Sequence, residues 1–195
     1  MKRLFDIGAA FFGLLFLAPF FLFLVILIPL DGKGGPFFKQ TRVGKNGRHF
    51  GLLKFRTMVP RAETEGKLTV GKDPRVTRIG AFMRKYKLDE FPQLINVLKG
   101  DMSIVGPRPE VPDYVAYYDE SERRVLSIRP GLTDEASLAY LEEERLLKEA
   151  EDPERTYLEE VLPQKLRLNL RYVEEQSMKK DLLLIAKTLR RIFKG

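Results

Sequence analysis

Residues 7–30, "IGAAFFGLLFLAPFFLFLVILIPL", form a run of 24 positions without a charge. A helix needs roughly 20 such residues to cross a bilayer core, so the run predicts a membrane helix. Pro19 stands near its midpoint, where a proline removes the hydrogen bond to the carbonyl of Leu15 and kinks the chain. Two arms of about 12 residues remain, each about 18 Å long and too short to span alone. Lys2 and Arg3 precede the run, and Lys33, Lys39, Arg42, Lys45 and Arg48 follow it. Positive charge on both flanks favours keeping both ends on the cytoplasmic side. A re-entrant helix, broken at Pro19 and returning to the face it entered, satisfies both features. A kinked helix that spans once is the alternative. The run exceeds a usual signal-peptide core and no small-x-small site closes it, so it is expected to be retained.

Beyond residue 30 the pattern shortens. "GPFFKQTRVGKNGRHFGLLKFRTM" carries two β-like runs around a "GKNG" turn, which by composition and spacing predict a hairpin. "RAETEGKLTVGKDPRVT" reads as loop. "RIGAFMRKYKL" predicts a short helix with Ile79, Phe82 and Met83 on one side. "LDEFPQLINVLKG" predicts a helix with Asp89 as N-cap, Pro92 in the first turn and Gly100 as the stop. Acidic helical sequence follows from about Asp134, read mainly as a solvated face and broken at Pro153 and Pro163. The C-terminal "KKDLLLIAKTLRRIFKG" is amphipathic: Leu182, Leu183, Ile185, Ala186, Leu189, Ile192 and Phe193 stand apart from its lysines and arginines. That face suits either the core or a lipid interface. The expected fold class is α+β, mainly helical, with a small β-hairpin, amphipathic interfacial helices, a membrane helix over 1–30 and a cytoplasmic catalytic domain over 31–195.

Composition narrows the chemistry. The chain has 195 residues, no cysteine and one histidine, so disulfides and Cys- or His-rich metal sites are excluded. A metal here would be a hard, oxygen-liganded ion. His49, beside "GRHFG", reads as a turn or packing residue. The net charge of +7 is unevenly spread. Residues 31–56 hold seven Lys/Arg against one acid, and 72–87 six against one. Residues 134–160 hold eleven acids against three bases, and 165–194 nine bases against three acids. Basic segments beside a membrane helix suit anionic lipid, a phosphorylated ligand or nucleic acid. No nucleic-acid motif is present, and aromatics are not interleaved with the basic runs, so nucleic acid is not expected as a partner.

Candidate chemistry concentrates between residues 54 and 129. Asp89 and Glu90 are adjacent carboxylates at a predicted helix start, where backbone amides favour anions. Lys54 and Arg56 in "KFRTM", Arg84, Arg108 in "GPRPE" and Arg129 in "IRPGLT" supply cations. Pro107 and Pro109 flank Arg108 and stiffen its backbone, which favours a preorganised guanidinium able to grip phosphate with two parallel bonds. Alone, a "DE" pair is commonly a cap or surface and a "PRP" commonly a turn.

The order of the blocks "KFRTM", "KLDEFPQLINVLKGDMSIVGPRPE", "IRPGLT" and "LRYVEEQSMKKDLLLIAKTL" resembles the bacterial sugar transferases called monotopic phosphoglycosyl transferases. The resemblance runs from "KRLFD" to the final helix and looks like a minimal member, a catalytic unit without a further N-terminal membrane domain. It implies transfer of a sugar phosphate from a UDP-sugar to polyprenyl (undecaprenyl) phosphate, releasing UMP, as a first membrane step in surface glycan synthesis. By the same resemblance Asp89 is the nucleophile and Glu90, with Asp89, holds Mg²⁺. Lys54, Arg56, Arg84, Arg108 and Arg129 contact phosphates, and the helix is re-entrant at the cytoplasmic face of the inner membrane. The family breaks that helix at a Ser-Pro pair. Here Pro19 matches but Ala18 replaces the serine. Many relatives continue "RPG-I-T" with "G-x-A-Q-V", whereas this chain reads "LTDEASLAYL" with Asp134 at the glycine, so sugar contacts do not map across it. Two alternatives stay open: a non-catalytic membrane scaffold that binds polyanions, and a Mg²⁺-dependent phosphohydrolase. A homodimer is also open, with no interface readable.

Overall fold

The apolar run folds as helix α1, Lys2–Asp31, in a computed structural model that describes residues 1–32, 34–60, 62, 73–140 and 143–194. Helical conformation continues through Pro19 and Pro29. The break expected at Pro19 is therefore no loss of helix: each proline forfeits one hydrogen bond while the turns around it persist. At 1.5 Å per residue α1 is about 45 Å long, and it is long and apolar enough to cross a membrane by length and composition.

Contacts to the rest of the chain run along the whole helix. At its start, Lys2 Nζ pairs with Asp181 Oδ2 at 2.5 Å, and Arg3 donates to the carbonyls of Val97 and Leu98 at 2.7 and 3.0 Å. Ala10 is fully buried in one apolar cluster, and Leu24 and Ile28 pack with Phe55 and Met83 in another. At its end, Asp31 accepts a hydrogen bond from Ile79 N at 2.6 Å. The opposite side, with Phe12, Phe16, Phe23 and Ile26, is exposed. A contiguous apolar surface of that kind marks a membrane or partner contact.

Strands β1 (Phe37–Val43) and β2 (His49–Phe55) form the expected antiparallel hairpin, Val43 opposite His49. Asn46 and Gly47 take positive φ in the turn between them. Helix α2 (Arg78–Lys85) buries Gly80 and Met83 and leaves Phe82 exposed against Tyr86. Phe82 thus points away from the predicted apolar side. The reason is Gly80, where an added Cβ would lie 2.1 Å from Thr57 O, so the glycine edge must face the hairpin. Helix α3 (Gln93–Lys99) ends at Gly100 with φ 93°, the predicted stop. Its buried Asn96 bonds Leu53 N and Gly51 O, fixing α3 to β2.

A parallel pair, β3 (Ser103–Val105) and β4 (Gly131–Thr133), was not legible from the pattern. Between them lies α4 (Pro112–Val115). The acidic region divides into α5 (Glu135–Ala139), α6 (Glu143–Glu149) and α7 (Pro153–Thr156), followed by α8 (Leu162–Glu175). Neither proline ends a helix: Pro153 opens α7, where a first-turn proline forfeits no intrahelical bond, and Pro163 lies within a continuous helical run whose preceding turn, Tyr157–Val161, is π-helical. Helix α9 (Met178–Lys194) buries Asp181 and Leu184 and exposes Leu182, Leu183 and Leu189 beside Lys179, Lys187 and Arg190. Its apolar residues therefore divide between core and surface. Most of the loop expected over 61–77, Lys33, residues 141–142 and the side chains of Ile192, Phe193 and Lys194 lie outside the described residues.

Candidate active site

The two carboxylates are placed by an unusual backbone. After α2, Lys87 adopts φ 57° and ψ 22°, the left-handed region, which costs an L-residue roughly 1–2 kcal/mol. This reversal directs the 3-10 turn Leu88–Glu90 inward, and Asp89 is 8% exposed. Asp89 is consequently not the N-cap of α3. That position falls to Pro92, with no side-chain cap bond, because the carboxyl group turns toward the interior instead of toward the α3 amides.

Glu90 is tightly held. Arg108 Nη2 and Nη1 donate to its Oε1 and Oε2 at 2.5 and 3.2 Å, a two-pronged grip, and Lys54 Nζ donates to Oε1 at 3.2 Å. Burial pushes the Glu90 carboxyl up, but Arg108 and Lys54 outweigh it and hold the group well below the usual carboxylate range. Asp89 behaves oppositely. Burial and the neighbouring Glu90 raise it, against the pull of Lys54, Arg84 and Lys87. No described residue donates a hydrogen bond to its carboxyl oxygens. Adjacent acids are thus pushed apart, one firmly ionised and one perturbed upward, as acid–base and nucleophilic sites require.

Arg108 reaches Glu90 because two proline loops interlock. Ser103 N donates to Pro130 O at 2.8 Å, Gly131 N to Pro107 O at 2.9 Å, and Gly106 N to Thr133 O at 3.1 Å. The loops touch so closely that a Cβ on Gly131 would lie 2.1 Å from Gly106 N. Pro109 O accepts from Arg42 Nη1 at 2.9 Å, completing the frame around Arg108. Glu90 raises the Arg108 guanidinium above its ordinary value, and burial lowers the Lys54 ammonium.

The structure therefore brings together Asp89, Glu90, Lys54 and Arg108, with Arg84 close enough to act electrostatically on Asp89. Arg56 and Arg129 stand apart. Arg56 donates to Gly35 O and Phe37 O at the start of β1, and Arg129 to Gly100 O at the far end of α3. Arg42 and Lys87 were missed by the sequence reading. For Arg42 a signal existed: with Val43 opposite His49, alternation puts Arg42 on the same face of the hairpin as Lys54. Lys87 carried none, since nothing in the pattern marks a left-handed lysine. Asp134 is buried, and both its oxygens accept from Ser137. It caps α5 and is not open to a sugar. His49 begins β2 and is exposed.

Among the described residues no group of three or more acids or histidines could cage a metal. A divalent ion that takes one or two carboxylates and completes its shell with substrate phosphates needs no such cage. The Asp89 carboxyl, buried without a donor among the described residues, fits that use, and Glu90 fits once Arg108 or Lys54 turns to an anion.

A sequence profile described as bacterial sugar transferase matches residues 1–195. The uncharacterized sugar transferase EpsL of Bacillus subtilis is 43% identical over 138 residues, 71% of this chain and 68% of that protein. The galactosyl transferase CpsE of Streptococcus agalactiae is 37% identical over 206 residues, all of this chain and 42% of that protein. An Aeromonas hydrophila enzyme named UDP-N-acetylgalactosamine-undecaprenyl-phosphate N-acetylgalactosaminephosphotransferase is 35% identical over 201 residues, all of this chain and 44% of its own. The chain thus spans less than half the length of the two relatives it matches end to end.

Proposed function

We propose, from the fact that this chain belongs to the bacterial sugar transferase family, that it is a phosphoglycosyl transferase of polysaccharide synthesis. It moves a sugar 1-phosphate from a UDP-sugar to undecaprenyl phosphate. The observation that carries this reading is Asp89: buried, without a hydrogen-bond donor among the described residues, and beside a Glu90 already neutralised by Arg108 and Lys54. The name of the Aeromonas relative supports the donor and acceptor classes.

In this reading an Asp89 carboxylate oxygen attacks the β-phosphorus of the UDP-sugar. The bond from that phosphorus to the bridging oxygen breaks, UMP leaves with the electron pair, and Asp89 carries an acyl-phosphate ester of the sugar. An oxygen of undecaprenyl phosphate then attacks the same phosphorus, giving the diphosphate-linked sugar and restoring Asp89. Two displacements replace one difficult transfer. Lys54 and Arg108 lie where phosphate oxygens would compete with Glu90 for them, and Arg84 and Lys87 draw the donor's negative charge toward Asp89. Mg²⁺, held by Glu90 and Asp89, would supply charge neutralisation between an anionic nucleophile and a diphosphate.

Both ends of α1 are fastened to the same domain, Lys2 to Asp181 and Asp31 to Ile79 N. This supports a helix that dips into the cytoplasmic face of the inner membrane, bends at Pro19 and returns. Shallow insertion puts the site at headgroup depth, where the acceptor phosphate lies. Pro19→Ala restores the bond to Leu15 and favours a straight helix, which must release one of its two anchorages. Transfer is expected to fall. A cysteine inserted after Met1 should change from protected to labelled by an impermeant thiol reagent in intact cells, while Tyr117→Cys stays protected. Labelling of the N-terminal cysteine in the otherwise wild-type protein would mean that α1 spans.

The decisive assay is UMP release over a panel of UDP-sugars with and without undecaprenyl phosphate. Stoichiometric release without acceptor and turnover with it is the expected result. Acceptor-independent turnover would make the protein a phosphohydrolase, and no release a scaffold. Arg108→Lys keeps the charge but loses the planar fork. Loss of a charge-assisted contact costs about 1.5–3 kcal/mol, so kcat/KM should fall roughly ten- to a hundredfold. Unchanged kinetics would reduce "GPRPE" to a turn.

A further inference from the structure

Asp6 is a buried acid in a helix that is otherwise apolar from residue 7 to residue 30. An ionisable side chain so placed is costly and calls for a named partner. It has two: Ser103 Oγ donates to Oδ2 at 2.9 Å and Ile104 N to Oδ1 at 3.0 Å. Both belong to β3, a strand with one partner, β4, in a two-stranded sheet. The Ile104 N–H lies on the open edge of that pair, where a buried donor without an acceptor costs about 1–3 kcal/mol. Asp6 supplies the acceptor. Tyr172 Oη lies 3.4 Å from Val105 O on the same strand and gives its proton to Asp181, the partner of Lys2.

What β3 leads into gives this contact its meaning. Two residues beyond Ile104 is Gly106, and two further is Arg108, with no flexible linker between. Gly106 N is fixed to Thr133 O and Pro107 O to Gly131 N, so a shift of β3 is transmitted to the Arg108 backbone. We infer that Asp6 is a positioning residue for Arg108: the membrane helix, through Asp6, sets the strand that delivers the phosphate-binding guanidinium. The inference rests on the phosphate role proposed for Arg108 and adds that α1 is part of the site's frame as well as an anchor. A catalytic domain whose α1 is undocked should bind donor diphosphate poorly.

The test is a double-mutant cycle on the full-length protein in nanodiscs, with UDP as the probe and calorimetric affinity as the readout. Asp6→Ala should weaken UDP about tenfold and Arg108→Ala about thirtyfold, while the double variant should be within about twofold of Arg108→Ala. Independent effects would multiply to about 300-fold, and that result overturns the inference. Asp6→Asn keeps an acceptor for Ile104 N and should recover most of the affinity, which a requirement for charge alone would not allow. Should Asp6→Ala fail to fold, Ser103→Ala removes one hydroxyl and must show the same non-additivity at smaller amplitude. Amide exchange reads the frame without a ligand. Asp6→Ala should speed exchange at Ile104, Gly106 and Gly131 by about tenfold or more relative to α8 amides. Uniform exchange across both regions rejects the positioning role. If wild-type protein does not bind UDP, the proposed function fails, and amide exchange alone decides the link from Asp6 to β3.

Discussion

Asp89→Asn is expected to abolish transfer, by on the order of 10⁴-fold or more, while leaving the fold intact. The amide is nearly isosteric, and no described residue donates a hydrogen bond to the carboxyl it replaces, so no bond among the described residues is lost. Burial and Glu90 both disfavour the charge at this position, so a neutral side chain should leave stability equal or slightly higher. Chemistry is another matter, because an amide cannot form the acyl phosphate. Mass spectrometry makes the distinction: wild-type protein given UDP-sugar without acceptor should gain one sugar phosphate and release one UMP, and Asp89→Asn neither. Turnover near the wild-type level in Asp89→Asn would end the covalent account. A pH profile adds a sign. Because burial and Glu90 raise the Asp89 pKa, lowering the pH protonates it before an ordinary aspartate, so the acid limb of kcat/KM should lie above that of an ordinary aspartate. Glu90 is held well below the usual carboxylate range and should leave no limb of its own there.

How much of this was legible in the sequence depended on whether a feature is local. The hairpin was, because "GKNG" separates two alternating runs and turn chemistry fixes the register. The extent of α1 was legible from its apolar run, and the stop at Gly100 from its glycine. The pairing of β3 with β4 was not. Two three-residue strands some 28 positions apart carry no periodicity, and what joins them is the room two glycines leave each other. The dyad was found, but its cap geometry was wrong, since a lysine in left-handed conformation at Lys87 has no signature. Among the cations, sequence could not separate Arg108, which faces Glu90, from Arg56 and Arg129, which bond backbone carbonyls. All three sit beside a proline or an aromatic residue. Only the fold says which guanidinium is engaged elsewhere. Docking of α1 was hidden for the same reason: Asp6 reads as a flank charge until Ser103 and Ile104 are placed against it.

Gly131→Ala should be among the most damaging single methyl groups added at the described glycines. Gly131 does not have a positive φ, so alanine is barred by space and not by torsion. Its Cβ would lie 2.1 Å from Gly106 N, 2.3 Å from Gly106 O and 2.7 Å from Gly106 Cα. All three are backbone atoms, so no side chain can swing aside. The loops must part, and with them the bonds Ser103–Pro130, Gly131–Pro107 and Gly106–Thr133. Three buried hydrogen bonds at about 1 kcal/mol each, together with overpacking of about 1–3 kcal/mol, predict a loss of roughly 4–6 kcal/mol. That is a large share of a domain's net stability. Denaturant unfolding in detergent gives the number, with Gly8→Ala as the control. A Cβ at Gly8 meets nothing within 4 Å, and glycine-to-alanine in a helix gains roughly 0.5–1 kcal/mol. Where Gly131→Ala still folds, at low temperature, it should transfer less sugar phosphate than Arg108→Lys. It displaces the whole guanidinium, and Arg108→Lys only trims its fork. Wild-type stability and turnover in Gly131→Ala would mean that the two proline loops are not interlocked, and the placement of Arg108 beside Glu90 would fall with them.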